Sequence, residues 1–140
     1  MSDLVTYVDR LPTPGEHRVL AESVRWSHAF DWDTMEASLA GSIAGVVTLD
    51  GAHVIGMVRL VDDGVKCYYV QDIAVLPTFQ GRGIGATLLQ RLLERVARTA
   101  VTTAFVGLFA TEGAASLYQR HGFTRGDMTS MFRLVPPMHA

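Results

Sequence analysis

Apolar residues recur along this chain with two different spacings, and the switches between them outline an alternation of strands and helices. Leu4 to Val8 alternates over the length of a short strand. Thr13-Pro14-Gly15-Glu16 then reads as a helix start. Thr13 can cap, Pro14 suits the first turn, and Glu16 sits where it closes a capping box. That helix is expected to run to Val24, followed by an irregular stretch from Trp26 to Trp32. A second short helix starts at Asp33 or Thr34 and stops at Gly41.

Three β-rich runs come next, Ile43–Leu49, Val54–Val61 and Val65–Val75, separated by Asp50-Gly51 and Asp62-Asp63-Gly64. Asp-Gly between β-branched runs signals hairpins, so three antiparallel strands are expected. Pro77 ends the third, since it cannot donate to a ladder. Leu88, Leu89, Leu92, Leu93, Val96 and Ala97 then recur at helical spacing through Arg98. Thr103–Phe109 predicts another strand, Glu112–His121 a short helix stopped by Gly122, and Thr129–Leu134 a last strand before Pro136-Pro137. The order β-α-α-β-β-β-α-β-α-β describes one α+β domain over residues 1–140, with a mixed sheet of about six strands and four helices.

Composition narrows the function classes. Of the residues, 49% are apolar, a globular value that argues against disorder, and the net charge of −2 offers no attraction for nucleic acid or anionic membranes. Arg91, Arg95 and Arg98 read as a solvated helix face. The one cysteine, Cys67, excludes a disulfide framework and is expected to be a buried small apolar residue. It forms no metal-ligand spacing with the histidines, so no metal is expected. No apolar run is long enough for a membrane span and the N-terminus lacks a signal-peptide core, so a cytoplasmic protein is the expectation.

The loudest local signal is Gln80-Gly81-Arg82-Gly83-Ile84-Gly85-Ala86, which runs straight into Thr87-Leu88-Leu89. From Gly81 it fits the dinucleotide pattern G-x-G-x-x-A; from Gln80 it fits Q-x-x-G-x-G. The dinucleotide reading needs the first turn of a parallel βαβ unit and an acid about 20 residues on, and this loop follows two hairpins with no acid in Val101–Val106. No Lys-Ser/Thr follows, so a Walker loop fails. A strand, a glycine loop and a helix N-terminus remain, which together aim backbone N–H groups at one point suited to a pyrophosphate.

Asp72-Ile73-Ala74-Val75-Leu76-Pro77-Thr78-Phe79-Gln80-Gly81-Arg82-Gly83-Ile84-Gly85 resembles the acetyl-coenzyme A signature of the GNAT N-acetyltransferase superfamily. Ala114-Ala115-Ser116-Leu117-Tyr118-Gln119-Arg120-His121-Gly122-Phe123 resembles its closing A-x-x-L-Y-x-x-x-G-F block, and the likeness extends over residues 4 to 134. It implies a splayed, mostly antiparallel sheet and an enzyme that moves an acetyl group from acetyl-CoA to a primary amine of a small molecule. A protein amine or another acyl group are alternatives within that chemistry. A non-catalytic coenzyme A sensor is the alternative outside it.

By that resemblance Gln80, Gly81, Arg82, Gly83, Ile84, Gly85 and Ala86 cradle the pyrophosphate, with the Thr87 hydroxyl as an extra donor. The backbone of Ile73, Ala74 and Val75 pairs with the pantetheine arm, as an added strand would. Tyr118 is the acid that protonates the departing thiolate, and Thr111 stands where many members carry a cofactor-contacting asparagine. Deprotonating a primary amine at pH 7 costs roughly 4 kcal/mol, so a base or water chain is needed. Tyr69 occupies the position of the glutamate used by histone-type members, which leaves Gln71 and Tyr69 as candidates to order a water. Asp72, the nearest acid and a lesser catalytic candidate, is expected by strand alternation to face away from both, as a structural carboxylate hydrogen-bonded at the sheet. Trp26, Phe30, Trp32 and Tyr69 are candidates to line the acceptor pocket, with packing of the aromatic loop onto the sheet as the alternative for the first three. Family members often dimerise, and the tail Met128–Ala140 is the candidate interface.

Overall fold

In the computed structural model, which describes residues 4–111 and 113–138, the alternating segments fold as strands Thr6–Val8 (β1), Ala44–Asp50 (β2), His53–Asp62 (β3), Cys67–Val75 (β4) and Phe105–Gly107 (β5). They form one sheet in that order. Every pair is antiparallel except β4–β5, which is parallel. Helices Pro14–Ser23 (α1), Met35–Ala40 (α2) and Ile84–Thr99 (α3) belong with the sheet to the compact unit Met1–Leu108. A second unit, Phe109–Ala140, holds the helix Ala115–Gln119 (α4).

The anticipated capping box forms: Thr13 Oγ1 accepts from the Glu16 N–H at 3.1 Å, and the Glu16 carboxylate accepts from the Thr13 N–H at 2.9 Å. Leu20 of α1 clusters with Val47, Met57 and Ala74 from β2, β3 and β4. The other face of the sheet takes α3 through its buried Ile84, Leu88, Leu89, Leu92 and Val96. Gly56 permits that closure, because a Cβ there would meet Thr48 Oγ1 at 3.1 Å and Ile84 Cγ2 at 3.3 Å. Adjacent residues Gly56 and Met57 thus serve opposite helices, as strand alternation requires.

Four expectations change. Residues 129–134 form no strand, so the sheet of the described residues has five; Met131, Phe132 and Leu134 are exposed there and lack a ladder partner. β5 is shorter than Thr103–Phe109, since it pairs only with Cys67–Tyr69 of β4. β4 starts at Cys67 rather than Val65, because Asp63 Oδ1 captures the N–H groups of Val65, Lys66 and Cys67 at 2.8 to 3.1 Å. Those bonds, led by the one from Lys66, pull the Asp63 carboxyl down to about 2. Cys67 itself is exposed, not buried, because it opens the strand at the sheet's margin. The start of the last helix expected at Glu112, and the end of the tail at His139–Ala140, lie outside the described residues.

Candidate active site

β4 carries an irregularity that decides the chemistry on its surface. Met57 pairs with Ala74 and Arg59 with Gln71, so one residue of β3 faces two of β4, Asp72 and Ile73. That is a β-bulge, and Asp72 at its centre has φ 59. Across it strict alternation fails. Asp72 therefore does not turn away from Gln71, as expected; the carboxylate joins Arg59 and Gln71 on the face covered by α1.

There Asp72 Oδ2 lies 2.8 Å from His17 Nε2 and accepts from Arg59 Nε at 2.8 Å. Its Oδ1 accepts from Gln71 Nε2 at 2.8 Å. Arg59 extends to Ser42 Oγ at 3.1 Å and the Ser38 carbonyl at 3.3 Å, tying α2 and its following turn to the sheet. His17, Arg59 and Asp72 are all buried. Burial pushes the Asp72 carboxyl up, but the His17 hydrogen bond and the Arg59 charge outweigh it and hold the group below its ordinary value. An ionised carboxylate only accepts, so Gln71 must present its Nε2 to Asp72, which fixes where its carbonyl oxygen points. Half-buried Tyr69 feels the same site: burial and the Asp72 charge raise its phenol, and Arg59 opposes them.

Beyond Tyr69, where its pairing with β5 ends, β4 has no strand neighbour on that side among the described residues. Ile73, Ala74 and Val75 lie on this stretch, so a backbone partner can be added along it. The chain then turns through Pro77–Phe79, and Gln80 Nε2 donates to the Val75 carbonyl at 3.0 Å, bracing loop against strand. Gly81 and Gly83 both take φ 81, and no atom lies within 4 Å of where a Cβ would stand on either. Gly83 begins α3 without a side-chain cap, which leaves the first-turn amides to be satisfied from outside the helix. The Arg82 guanidinium sits 5.0 Å over the Phe79 ring. Thr87 Oγ1 donates back to the Gly83 carbonyl at 3.1 Å.

The aromatic candidates divide. Trp26 packs against the Leu20–Met57 cluster. Phe30 and Trp32 cover His17, with ring centroids 4.9 and 6.0 Å from the imidazole, and Arg18 lies 5.1 Å over Trp32. In the second unit Thr111 is exposed. The end of α4 explains the spacing of the closing motif: the Phe123 N–H returns to the Tyr118 carbonyl and the Gly122 N–H to that of Gln119, both at 3.1 Å. Gly122 takes φ 88, and Phe123 meets the Tyr118 ring edge-on at 6.0 Å. This is a Schellman termination with its usual apolar contact, so the Gly-Phe pair anchors Tyr118.

Sequence reasoning passed over His17 and Arg59. Both left a signal. His17, Leu20, Ala21 and Val24 share the apolar stripe of α1, and Arg59 interrupts the apolar run Met57–Val61, where a buried charge demands a counter-charge.

The chain resembles known proteins along most of its length. A family model described as the acetyltransferase (GNAT) family matches residues 11–123. An L-2,4-diaminobutyric acid acetyltransferase of Nocardia farcinica is 36% identical over 77 residues, 55% of this chain and 35% of that protein. A [ribosomal protein bS18]-alanine N-acetyltransferase of Haemophilus influenzae is 35% identical over 65 residues, 46% of this chain and 44% of the relative. The matches thus span less than half the length of these curated relatives. A probable acetyltransferase of unknown function from meticillin-resistant Staphylococcus aureus superposes with a TM-score of 0.85 at 26% identity, over 94% of this chain and all of that one. With the glycine turn and the match over residues 11–123, the chain belongs to the GNAT family of acetyltransferases.

Proposed function

We propose that the protein transfers an acetyl group from acetyl-CoA to a primary amine of a small molecule, by direct attack in a ternary complex. The observation that carries this reading is the junction of β4 and α3. A strand with no strand neighbour on that side past Tyr69 among the described residues leads into a turn where Gly81 and Gly83 leave clear space over a helix N-terminus. Backbone amides from Gly81 to Ala86 would hold a pyrophosphate, and Ile73 to Val75 would pair with an extended arm. When bound, acetyl-CoA supplies an acyl group already activated as a thioester.

The chain's residues would then manage two protons. Gln71, oriented by Asp72, presents its carbonyl oxygen to order the water that receives the amine proton, with Tyr69 beside it. Tyr118 holds a phenol proton for the leaving group; its reference pKa of about 10 lies close enough to a thiol's, about 8.5, for the transfer to be facile. Cys67 takes no part, and no acyl-enzyme forms. The diaminobutyrate named for the Nocardia relative supports a small amine. The ribosomal-protein alanine named for the Haemophilus relative supports the second reading, a protein amine.

Release of free thiol from acetyl-CoA across a panel of amines and N-terminal peptides tests this. Turnover with at least one amine is expected, with 2,4-diaminobutyrate among the first to try. Tight acetyl-CoA binding without turnover on any amine would replace the enzyme reading with a sensor. Tyr118→Phe should lower the rate at pH 7 roughly 100-fold or more. A rate near wild type would remove Tyr118 from the acid role.

A further inference from the structure

We infer that His17 is a positioning residue for the acceptor side of the reaction, acting from α1 through Asp72 on Gln71. This rests on the acetyl-transfer reading above, but its physical basis is separate. Asp72 occupies a left-handed conformation uncommon for any residue but glycine, in the middle of a strand. Something must hold it there. His17 and Arg59 both reach one oxygen, Oδ2, from α1 and β3, and that leaves Oδ1 for Gln71.

His17 is fully buried, and its Nδ1 has no partner among the described residues. The tautomer with the proton on Nε2 satisfies Asp72 and leaves the burden of one unpaired acceptor on Nδ1. The chain retains this buried polar mismatch beneath Phe30 and Trp32 where leucine would fill an apolar site. The gain is a third, rigid fastening of the bulge. Without it the carboxylate can pivot about Arg59, and Gln71 loses the fixed direction of its carbonyl.

His17→Leu removes the donor, and His17→Gln retains an N–H able to reach Asp72. At saturating acetyl-CoA, His17→Leu should lower kcat roughly 10- to 100-fold, the scale of a misplaced reacting group. Acetyl-CoA affinity by calorimetry should change less than about threefold, since the amide cradle is untouched. His17→Gln should recover most of the lost rate. In a Gln71→Leu background, His17→Leu should cost little more, because both act on one contact. Additive losses, or a folded His17→Gln as slow as His17→Leu, would overturn the inference. If His17→Leu does not fold, His17→Asn, too short to reach Asp72, takes its place with the same expectations.

Hydrogen exchange separates this inference from the acetyl-transfer reading. Without substrate, His17→Leu should speed exchange at Gln71–Ala74 about tenfold, leave Val46–Thr48 unchanged, and be reversed in His17→Gln. Unchanged exchange at Gln71–Ala74 overturns the tether whatever the activity. The expected exchange with no thiol release from the wild type supports the tether and counts against acetyl transfer alone.

Discussion

Asp72 and Gly83 lie eleven positions apart and share a left-handed backbone, with φ of 59 and 81, yet the chain treats them in opposite ways. At Asp72 the strain falls on a residue with a side chain, and three hydrogen bonds to its carboxylate hold it in a buried site. At Gly83 the absence of a side chain removes the strain, and the space where one would stand is empty. One site is buried and answered by its own side chains, and in the proposed function its work is to fix direction. The other has no side-chain cap over its amides, and in the proposed function its work is to receive. A left-handed backbone serves both because burial, not backbone shape, decides whether a polar group is answered from within the protein or from outside it.

The largest effect should come from opening the closed site. Asp72→Ala keeps the left-handed cost, deletes three bonds and leaves Arg59 buried without its counter-charge. A loss of about 3–5 kcal/mol is expected, read from the urea midpoint. Asp72→Asn, which tolerates the backbone and keeps some of the bonds, should lose less. The pH dependence follows from the same site. Asp72's carboxyl lies below its unfolded value, so its contribution is complete above pH about 3.9 and fades as pH falls through the lower folded value. Asp72→Asn should flatten that acid limb. Equal stability of Asp72→Ala and wild type would end the comparison.

Filling the open site should cost less stability and more binding. A Cβ at Gly83 clashes with nothing, so Gly83→Ala carries only the backbone penalty, about 1–2 kcal/mol. In the proposed function the methyl would nevertheless stand where a phosphate approaches the amides, so acetyl-CoA affinity should fall at least tenfold by calorimetry. Asp72→Asn should leave that affinity within about threefold. Reversal of this pattern, with affinity lost at Asp72 and kept at Gly83, would show that the two sites had been assigned the wrong roles.

Legibility in the sequence divides along the same line. The glycine turn, the helix after it and the hairpins before it were readable because they rest on local chemistry: Asp-Gly turns, helical spacing from Leu88 to Val96, glycine where φ is positive. The capping box at Thr13 was readable for the same reason. The bulge was not, since nothing in Gln71-Asp72-Ile73 departs from a strand pattern, and only the register against Met57 and Arg59 reveals the extra residue. Alternation therefore sent Asp72 to the wrong face and hid its bond to His17, 55 positions away. The sixth strand was over-read, because strand propensity in Met131–Leu134 says nothing about whether a partner strand stands beside it. The role of Tyr118 rests on resemblance to the family, and Tyr118→Phe tests it.

The smallest effect asks how far the closed site depends on the helix that delivers His17. Thr13 caps α1 one turn before that histidine, and its hydroxyl answers only the Glu16 N–H. Thr13→Ala should cost about 1 kcal/mol, because Glu16 remains held by Arg10 at 2.8 Å and the helix face is otherwise unchanged. His17 lies in the second turn, buried with Leu20 and Ala21, where packing rather than capping sets its place. Hydrogen exchange should therefore rise in the first turn of α1 while Gln71–Ala74 stays protected. If exchange at the bulge rises equally, the fastening of Asp72 depends on the whole start of α1, and the closed site is larger than the three side chains that meet on its carboxylate.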